Sequence, residues 1–170
     1  VINSFKDTFG LYIHIPFCVK KCLYCDFCSV EANSDLINEY IETLIKEILF
    51  KKELYRINKV KSIYIGGGTP TLLSLEHYEK IFTALQNFAF IENIEITIET
   101  NPGIINTDTF ENLRALGVNR ISMGVQSFNS DMLQKLGRIH SEKDVSVCLS
   151  DVKEAGFRNV NLDLMYGLPN

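Results

Sequence analysis

The chain has 170 residues, 46% of them hydrophobic and 22% charged, with a formal net charge of −4 and a pI near 5.4. A chain of this length can bury about 70% of its unfolded surface, enough for one well-formed core. Its mild acidity provides no basic field to hold a nucleic acid backbone, which excludes the DNA- and RNA-binding classes. No apolar run approaches the roughly 20 residues of a membrane span. The opening VINSFKDTFG lacks the basic start, apolar run and small-residue cleavage site of a secretory signal, so the expected location is the cytoplasm. The chain starts on Val1 and ends at YGLPN just past an apolar run, edges expected of a piece of a longer protein.

In chain order, LYIHI (11 to 15) is the first β-branched run and predicts a strand. A helix is expected after Ser34 as N-cap, with Leu36, Ile37, Tyr40, Ile41, Leu44, Ile45 and Ile48 on one face. VKSIYIGGG (60 to 68) predicts the second strand. Ser74 caps a second helix carrying Leu75, Tyr78, Ile81, Phe82 and Leu85. IEITIET (94 to 100) is the third strand, and a helix from near Thr107 stops at Gly117, a natural C-terminal stop. NRISMGVQ (119 to 126) is the fourth strand. A last helix runs from Ser141, with Asp144 three residues on, to Gly156, and NVNLDLMYG (159 to 167) is the fifth strand.

Strands separated by helices predict right-handed crossovers and a parallel sheet. Such strands are usually apolar on both faces, but these alternate. Ile94, Ile96 and Ile98 interleave with Glu95, Thr97 and Glu99; Ile121, Met123 and Val125 with Ser122, Gly124 and Gln126; Val160, Leu162 and Leu164 with Asn161 and Asp163; Ile63 and Ile65 with Tyr64, Gly66 and Gly68. Each strand therefore has one face for helices and one that is polar or small. The expected architecture is an α/β fold, a partial TIM-like (β/α) barrel of about five parallel strands whose lumen is a site rather than a packed core. An antiparallel sheet with one wet face would give the same alternation; long helical connections argue against it.

The segment HIPFCVKKCLYCDFCS (14 to 29) holds four of the five cysteines. In a reducing compartment such a cluster points to a metal or redox site rather than a disulfide framework. Cys18, Cys22 and Cys25 read Cys-x3-Cys-x2-Cys just after the first strand, at the carboxyl end where ligands sit in α/β folds. Three readings stand on spacing alone. Three thiolates could hold three irons of a cubane and leave the fourth open. A zinc site could be completed by Cys28 or His14, although no second cysteine pair follows. A fully ligated electron-transfer cluster would take Cys28 as its fourth ligand.

GGGTP, from Gly66 to Pro70, ends the second strand and allows close approach of backbone to a bound molecule. Glu99, Gln126 and Asp163 stand near the ends of the next three strands, and Arg138 suits a carboxylate by bidentate pairing. Taken singly, each has a structural reading: Arg138 in a solvated loop, Glu99 paired with a lysine, Tyr12 in ordinary packing. Cys148, on one face with Val145, Leu149 and Val152, reads as a small buried hydrophobe, and His77 and His140 as surface or loop residues. Lys20 and Lys21 would lower the pKa of a thiol their ammonium groups approached.

The ordered series YIHIPFC, YIGGGTPT, IETNPG, GVNRISMGVQSFN, LGRIH and NLDLMYGLP resembles the radical SAM superfamily, within the group of oxygen-independent coproporphyrinogen III oxidase and the heme chaperone HemW. The resemblance spans nearly the whole chain and implies that 1–170 form a radical SAM core domain, incomplete at its C-terminal side. It implies a 4Fe-4S cluster on Cys18, Cys22 and Cys25 whose open iron chelates S-adenosylmethionine. Positions matching Tyr12, Gly67, Gly68, Thr69, Glu99, Gln126, Arg138 and Asp163 contact that cofactor in similar proteins, with Tyr24 beside the cluster. One-electron reduction then yields methionine and a 5′-deoxyadenosyl radical. The implied partners are heme or a porphyrinogen and an electron donor such as a flavodoxin or ferredoxin. Cys-Asp-Phe-Cys-Ser is nearer the HemW pattern, in which asparagine stands at the position of Cys28, than that of the oxidases, which carry a cysteine where this chain has Phe27. Heme is accordingly the expected cargo.

Overall fold

In a computed structural model, residues 8–168 are described. The seven opening residues, on which part of the secretory-signal expectation rests, and the last two lie outside this range. The strands are β1 (Thr8–Ile15), β2 (Phe17–Cys18), β3 (Val30–Glu31), β4 (Lys59–Gly67), β5 (Ala89–Thr100), β6 (Arg120–Gln126) and β7 (Asn159–Leu164). The helices are α1 (Ser34–Leu54), α2 (Leu75–Leu85), α3 (Thr107–Ala115), α4 (Ser130–Lys135) and α5 (Glu142–Glu154). None among the described residues is long and apolar enough to cross a membrane.

Five strands form one sheet in the order β1-β4-β5-β6-β7, every neighbouring pair parallel. Because spatial order follows chain order without reversal, every crossover turns the same way and the helices share one face, the topology of a barrel wall rather than a doubly wound sheet. This is the expected partial TIM-like barrel, and the antiparallel alternative is overturned. Ile65, Ile98, Ile121 and Val125 form one core with Ile37 and Ile41 of α1, Ile81 of α2, Phe110 of α3 and Val145 of α5. Fully burying a side chain of this size contributes about 1.5–3 kcal/mol. The opposite face carries Tyr64, Glu99, Ser122, Gly124 and Asp163, as the alternation requires.

Helix ends differ in detail from the expectation. Asn33, not Ser34, caps α1, because its Oδ1 accepts from the amides of both Asp35 and Leu36 at 3.1 Å. Ser141 and Asp144 form a reciprocal capping box on α5, and Ser74 and His77 form another on α2. His77 is therefore a helical, partly buried residue rather than a surface loop position. Its Nδ1 accepts from the Ser74 amide at 3.2 Å, which leaves Nε2 protonated to donate to Asn38 Oδ1 at 2.8 Å and tie α2 to α1. His140 lies in a loop as expected, yet it is buried, only 6% exposed, with its ring on the Val125 carbonyl. Cys148 is buried with Val145 and Val152, as its helix face predicts.

Candidate functional site

The cysteine loop is pinned at both ends. Phe17–Cys18 pairs with Val30–Glu31, the Val30 amide donating to Pro16 O and the Ala32 amide to Cys18 O, each at 2.8 Å. Inside the loop, the Cys25 amide donates to Cys22 O at 3.1 Å. Its middle is tied to the segment after α4, where the Leu23 amide donates to Leu136 O at 3.1 Å. Lys21 Nζ donates to Phe27 O at 3.2 Å, holding that ammonium on the backbone.

At the carboxyl ends of the strands this loop roofs a cavity of about 420 Å³. Cys18, Cys22, Cys25 and Tyr24 border it from the loop side. Gly67, Gly68, Thr69, Glu99, Gln126, Arg138 and Asp163 border it from the strand ends. Two expected residues stand apart. Cys28 is exposed and does not border the cavity. Tyr12 does not border it either; it is 61% exposed, its hydroxyl bonded to His14 Nδ1 at 3.0 Å and its ring stacked on Tyr64.

All five cysteines are free thiols. Among the described residues no three His, Cys, Asp or Glu side chains are gathered about a single metal-ion position. It is compatible with a cubane, where each thiolate takes a different iron and the sulfurs stand further apart than ligands of one ion. Three half-buried thiols bordering one cavity, with the fourth exposed and outside its lining, could hold such a cluster with one open corner.

The glycines explain the tight roof. A Cβ on Gly68 would lie 2.6 Å from the Phe17 carbonyl oxygen and 3.0 Å from Cys18 Sγ. Gly67 has φ of +120°, a conformation that side chains disfavour, and its Cβ would lie 2.6 Å from the His14 ring. The Gly68 and Thr69 amides already donate to Ile15 O and Phe17 O, so these residues offer a ligand bare approach and the Thr69 hydroxyl rather than free amides.

Glu99 is held at both oxygens. Oε1 accepts from the Tyr64 hydroxyl at 2.7 Å and Oε2 from the Gly67 amide at 2.9 Å, and among the described residues no lysine pairs with it. Burial, then the bond to Glu99, pushes the Tyr64 phenol up to about 12. Asp163 accepts from Ser122 Oγ at 3.2 Å and from Asn161 Nδ2 at 2.7 Å. Gln126 has φ of +67°, rare for a residue with a Cβ. It sits where the β6–β7 register shifts, its carbonyl accepting from the Met165 amide at 2.9 Å. A bulge with a left-handed residue beside a cavity is a recurrent way to aim a side chain.

Arg138 connects the cysteine loop to the strand ends. Nη2 donates to Asn101 Oδ1 and to Gly124 O, and Nη1 to Cys22 Sγ at 3.5 Å. Its Nε is buried without a partner, a donor of the kind a ligand's carboxylate would satisfy. The bidentate pairing expected of Arg138 thus meets a fork whose two terminal nitrogens are both already engaged, leaving only Nε free. Burial raises the Tyr24 phenol, with nearby Arg138 pulling it back. Tyr64, Asn101 and Ser122 also border the cavity, and the sequence reading did not assign them to the site. Tyr64 and Ser122 carried a signal, since both fall on the polar side of the strand alternation. A larger open groove of about 1320 Å³ lies at the strands' amino ends, where Glu111, Arg114, Lys153, Glu154 and Arg158 mix both charges on helix ends and turns. None of the candidate site residues borders it.

Comparison with known proteins places this geometry. The family model described as the radical SAM superfamily matches residues 12–170. The chain is 44% identical over 168 residues to a heme chaperone HemW of Haemophilus influenzae, covering 95% of this chain and 44% of that protein. It is 38% identical over 163 residues to an oxygen-independent coproporphyrinogen III oxidase of Salmonella typhimurium, covering 94% of this chain and 35% of that one. In structure it superposes on coproporphyrinogen III oxidase (HemN) from Escherichia coli, described as a radical SAM enzyme, with a TM-score of 0.86 and 37% identity, over 94% of this chain and 37% of that one. The chain spans less than half the length of these relatives.

Proposed function

Since this chain belongs to the radical SAM superfamily, we propose that it is the greater part of a HemW-type core domain, spanning 1–170. In this reading Cys18, Cys22 and Cys25 hold a 4Fe-4S cluster that binds S-adenosylmethionine, and the whole protein acts in heme binding and delivery. The observation that carries the reading is that these three thiols border one cavity with Gly68, Glu99 and Arg138 while Cys28 is exposed and does not border it. When bound, a cluster of this kind supplies one electron to a sulfonium at its open iron, and a flavodoxin or ferredoxin is the class of donor that would replace it.

The chain's own residues bind and orient. Glu99, fixed by Tyr64 and Gly67, presents an oriented acceptor to an ammonium or a ribose hydroxyl without reorganising. Arg138, which borders the cavity, is the cation suited to a carboxylate, and its buried Nε–H is the one donor nitrogen without a partner. Thr69 Oγ1 accepts from Asn101 Nδ2 at 2.9 Å and keeps its own hydrogen to donate. Asp163 and Gln126 provide the polar groups opposite, and Tyr24 shields the thiol side. Tyr12 bonds His14, whose other nitrogen bonds Cys28 O at 2.8 Å, and so braces the cysteine loop.

The HemW reading is favoured over the oxidase by the relatives' ranking in identity, 44% against 38%, and by Phe27 at the position where the oxidases carry a cysteine. The structural likeness to HemN keeps the oxidase as the second reading. Heme loading of the full protein followed by transfer to an apo-acceptor, without porphyrinogen decarboxylation, is the expected result. Decarboxylation with no heme transfer would replace this reading with the oxidase.

A further inference from the structure

We propose that Asn101 is the positioning residue for Arg138, and that the pair couples the cluster ligand Cys22 to the cofactor pocket; the inference rests on the function proposed above. Asn101 lies one residue past the end of β5 and is given no role by the motif series beyond its presence. Its amide has one available orientation: Oδ1 faces the Arg138 guanidinium and Nδ2 faces Thr69 Oγ1 at 2.9 Å. Flipping it would turn an NH2 toward a cation and a carbonyl toward a hydroxyl that is wanted as a donor elsewhere. Thr69 therefore fixes Asn101, and Asn101 fixes Arg138.

Arg138 has no carboxylate partner among the described residues. A guanidinium held by a neutral amide and the Gly124 carbonyl keeps its full charge for what lies beside it. On one side that is Cys22 Sγ, at 3.5 Å from Nη1; the same arginine also borders the cavity. Gly124 completes the seat, since a Cβ there would lie 2.8 Å from Asn101 Oδ1 and 3.5 Å from Arg138 Nη2. Hydrogen bonds and positive charge at a cluster's sulfur ligands stabilise its reduced form and raise its potential. Asn101 thus sets, through Arg138, both how readily the cluster accepts an electron and how firmly the cofactor's carboxylate is held.

The test uses the full protein with its cluster reconstituted anaerobically. Asn101→Ala is expected to lower the cluster's midpoint potential, measured without cofactor, and to weaken S-adenosylmethionine binding about tenfold. Both effects are expected to vanish when the change is made on an Arg138→Ala background. Thr69→Val, which removes the acceptor for the Asn101 amide along with the hydroxyl offered to the cofactor, should shift the cofactor-free potential in the same direction by less, and that cofactor-free reading decides the matter if Asn101→Ala fails to fold. A wild-type protein that takes up no cluster contradicts the proposed function, and the inference falls with it. A wild-type protein that binds both groups while the potential is unmoved by these changes, or moved as fully without Arg138, overturns the inference alone.

Discussion

Tyr64 and Glu99, on neighbouring strands of the barrel wall, are joined by a 2.7 Å hydrogen bond whose donor is the phenol. With the Gly67 amide on the other oxygen, the carboxylate is oriented by the fold itself. Tyr64→Phe leaves Oε1 without its donor and should destabilise the protein by about 1–2 kcal/mol at neutral pH, read by urea unfolding. The pH dependence gives a second check. The folded-state pKa, pushed up to about 12, lies above the ordinary 10.0, so the native state holds this proton more tightly than the unfolded chain. Its contribution is present below about pH 10 and is lost as pH rises toward about 12. The stability gap between wild type and variant should narrow across that window, and a constant gap would contradict the assignment.

Gly68→Ala puts a methyl group against the Phe17 carbonyl and Cys18 Sγ. Backbone cannot yield as a flexible side chain does, so the cysteine loop must shift. A loss of about 1–3 kcal/mol is expected, together with reduced iron uptake on reconstitution. Full iron content at wild-type stability would show that the roof has more room than the geometry allows.

Cys25→Ser should abolish cluster formation, while Cys28→Ser should leave iron and sulfide content unchanged, because only the first of these thiols borders the cavity. Iron and sulfide analysis of the two reconstituted variants separates this account from the fully ligated electron-transfer reading. Under that alternative the Cys28→Ser protein loses its cluster as well.

Much of this arrangement was legible in the sequence because strand alternation is a backbone property. Ile121, Met123 and Val125 had to share a face, and Ser122, Gly124 and Gln126 the other. What could not be read was set by contacts distant in sequence. Asn33 took the cap from Ser34 because its longer side chain reaches two amides, a contest decided by geometry rather than residue preference. The short α4 has too few residues for a periodic signal, and β2–β3 pairs segments too brief to pattern. His140 is buried only because its loop folds back onto Val125. Asn101 lies past the end of β5, outside the alternation, and its importance depends on an arginine whose side chain arrives from 37 residues away.

Burial lifts the Cys148 thiol to about 11 and packs it between Val145 and Val152. Alkylation of the cluster-free protein near pH 8 should therefore label the loop cysteines and spare Cys148 until denaturant is added. Mass spectrometry of peptides from native and unfolded samples checks this; early labelling of Cys148 would mean that α5 does not pack as described.

The central claim is that three thiols in one cavity leave a cluster iron open to S-adenosylmethionine. Its most direct measurement is the EPR spectrum of the reduced, reconstituted protein with and without that cofactor. The account predicts a clear change in the spectrum when the cofactor is added to wild type and to Cys28→Ser alike. An unchanged spectrum, at full iron content and with cofactor in excess, would contradict it.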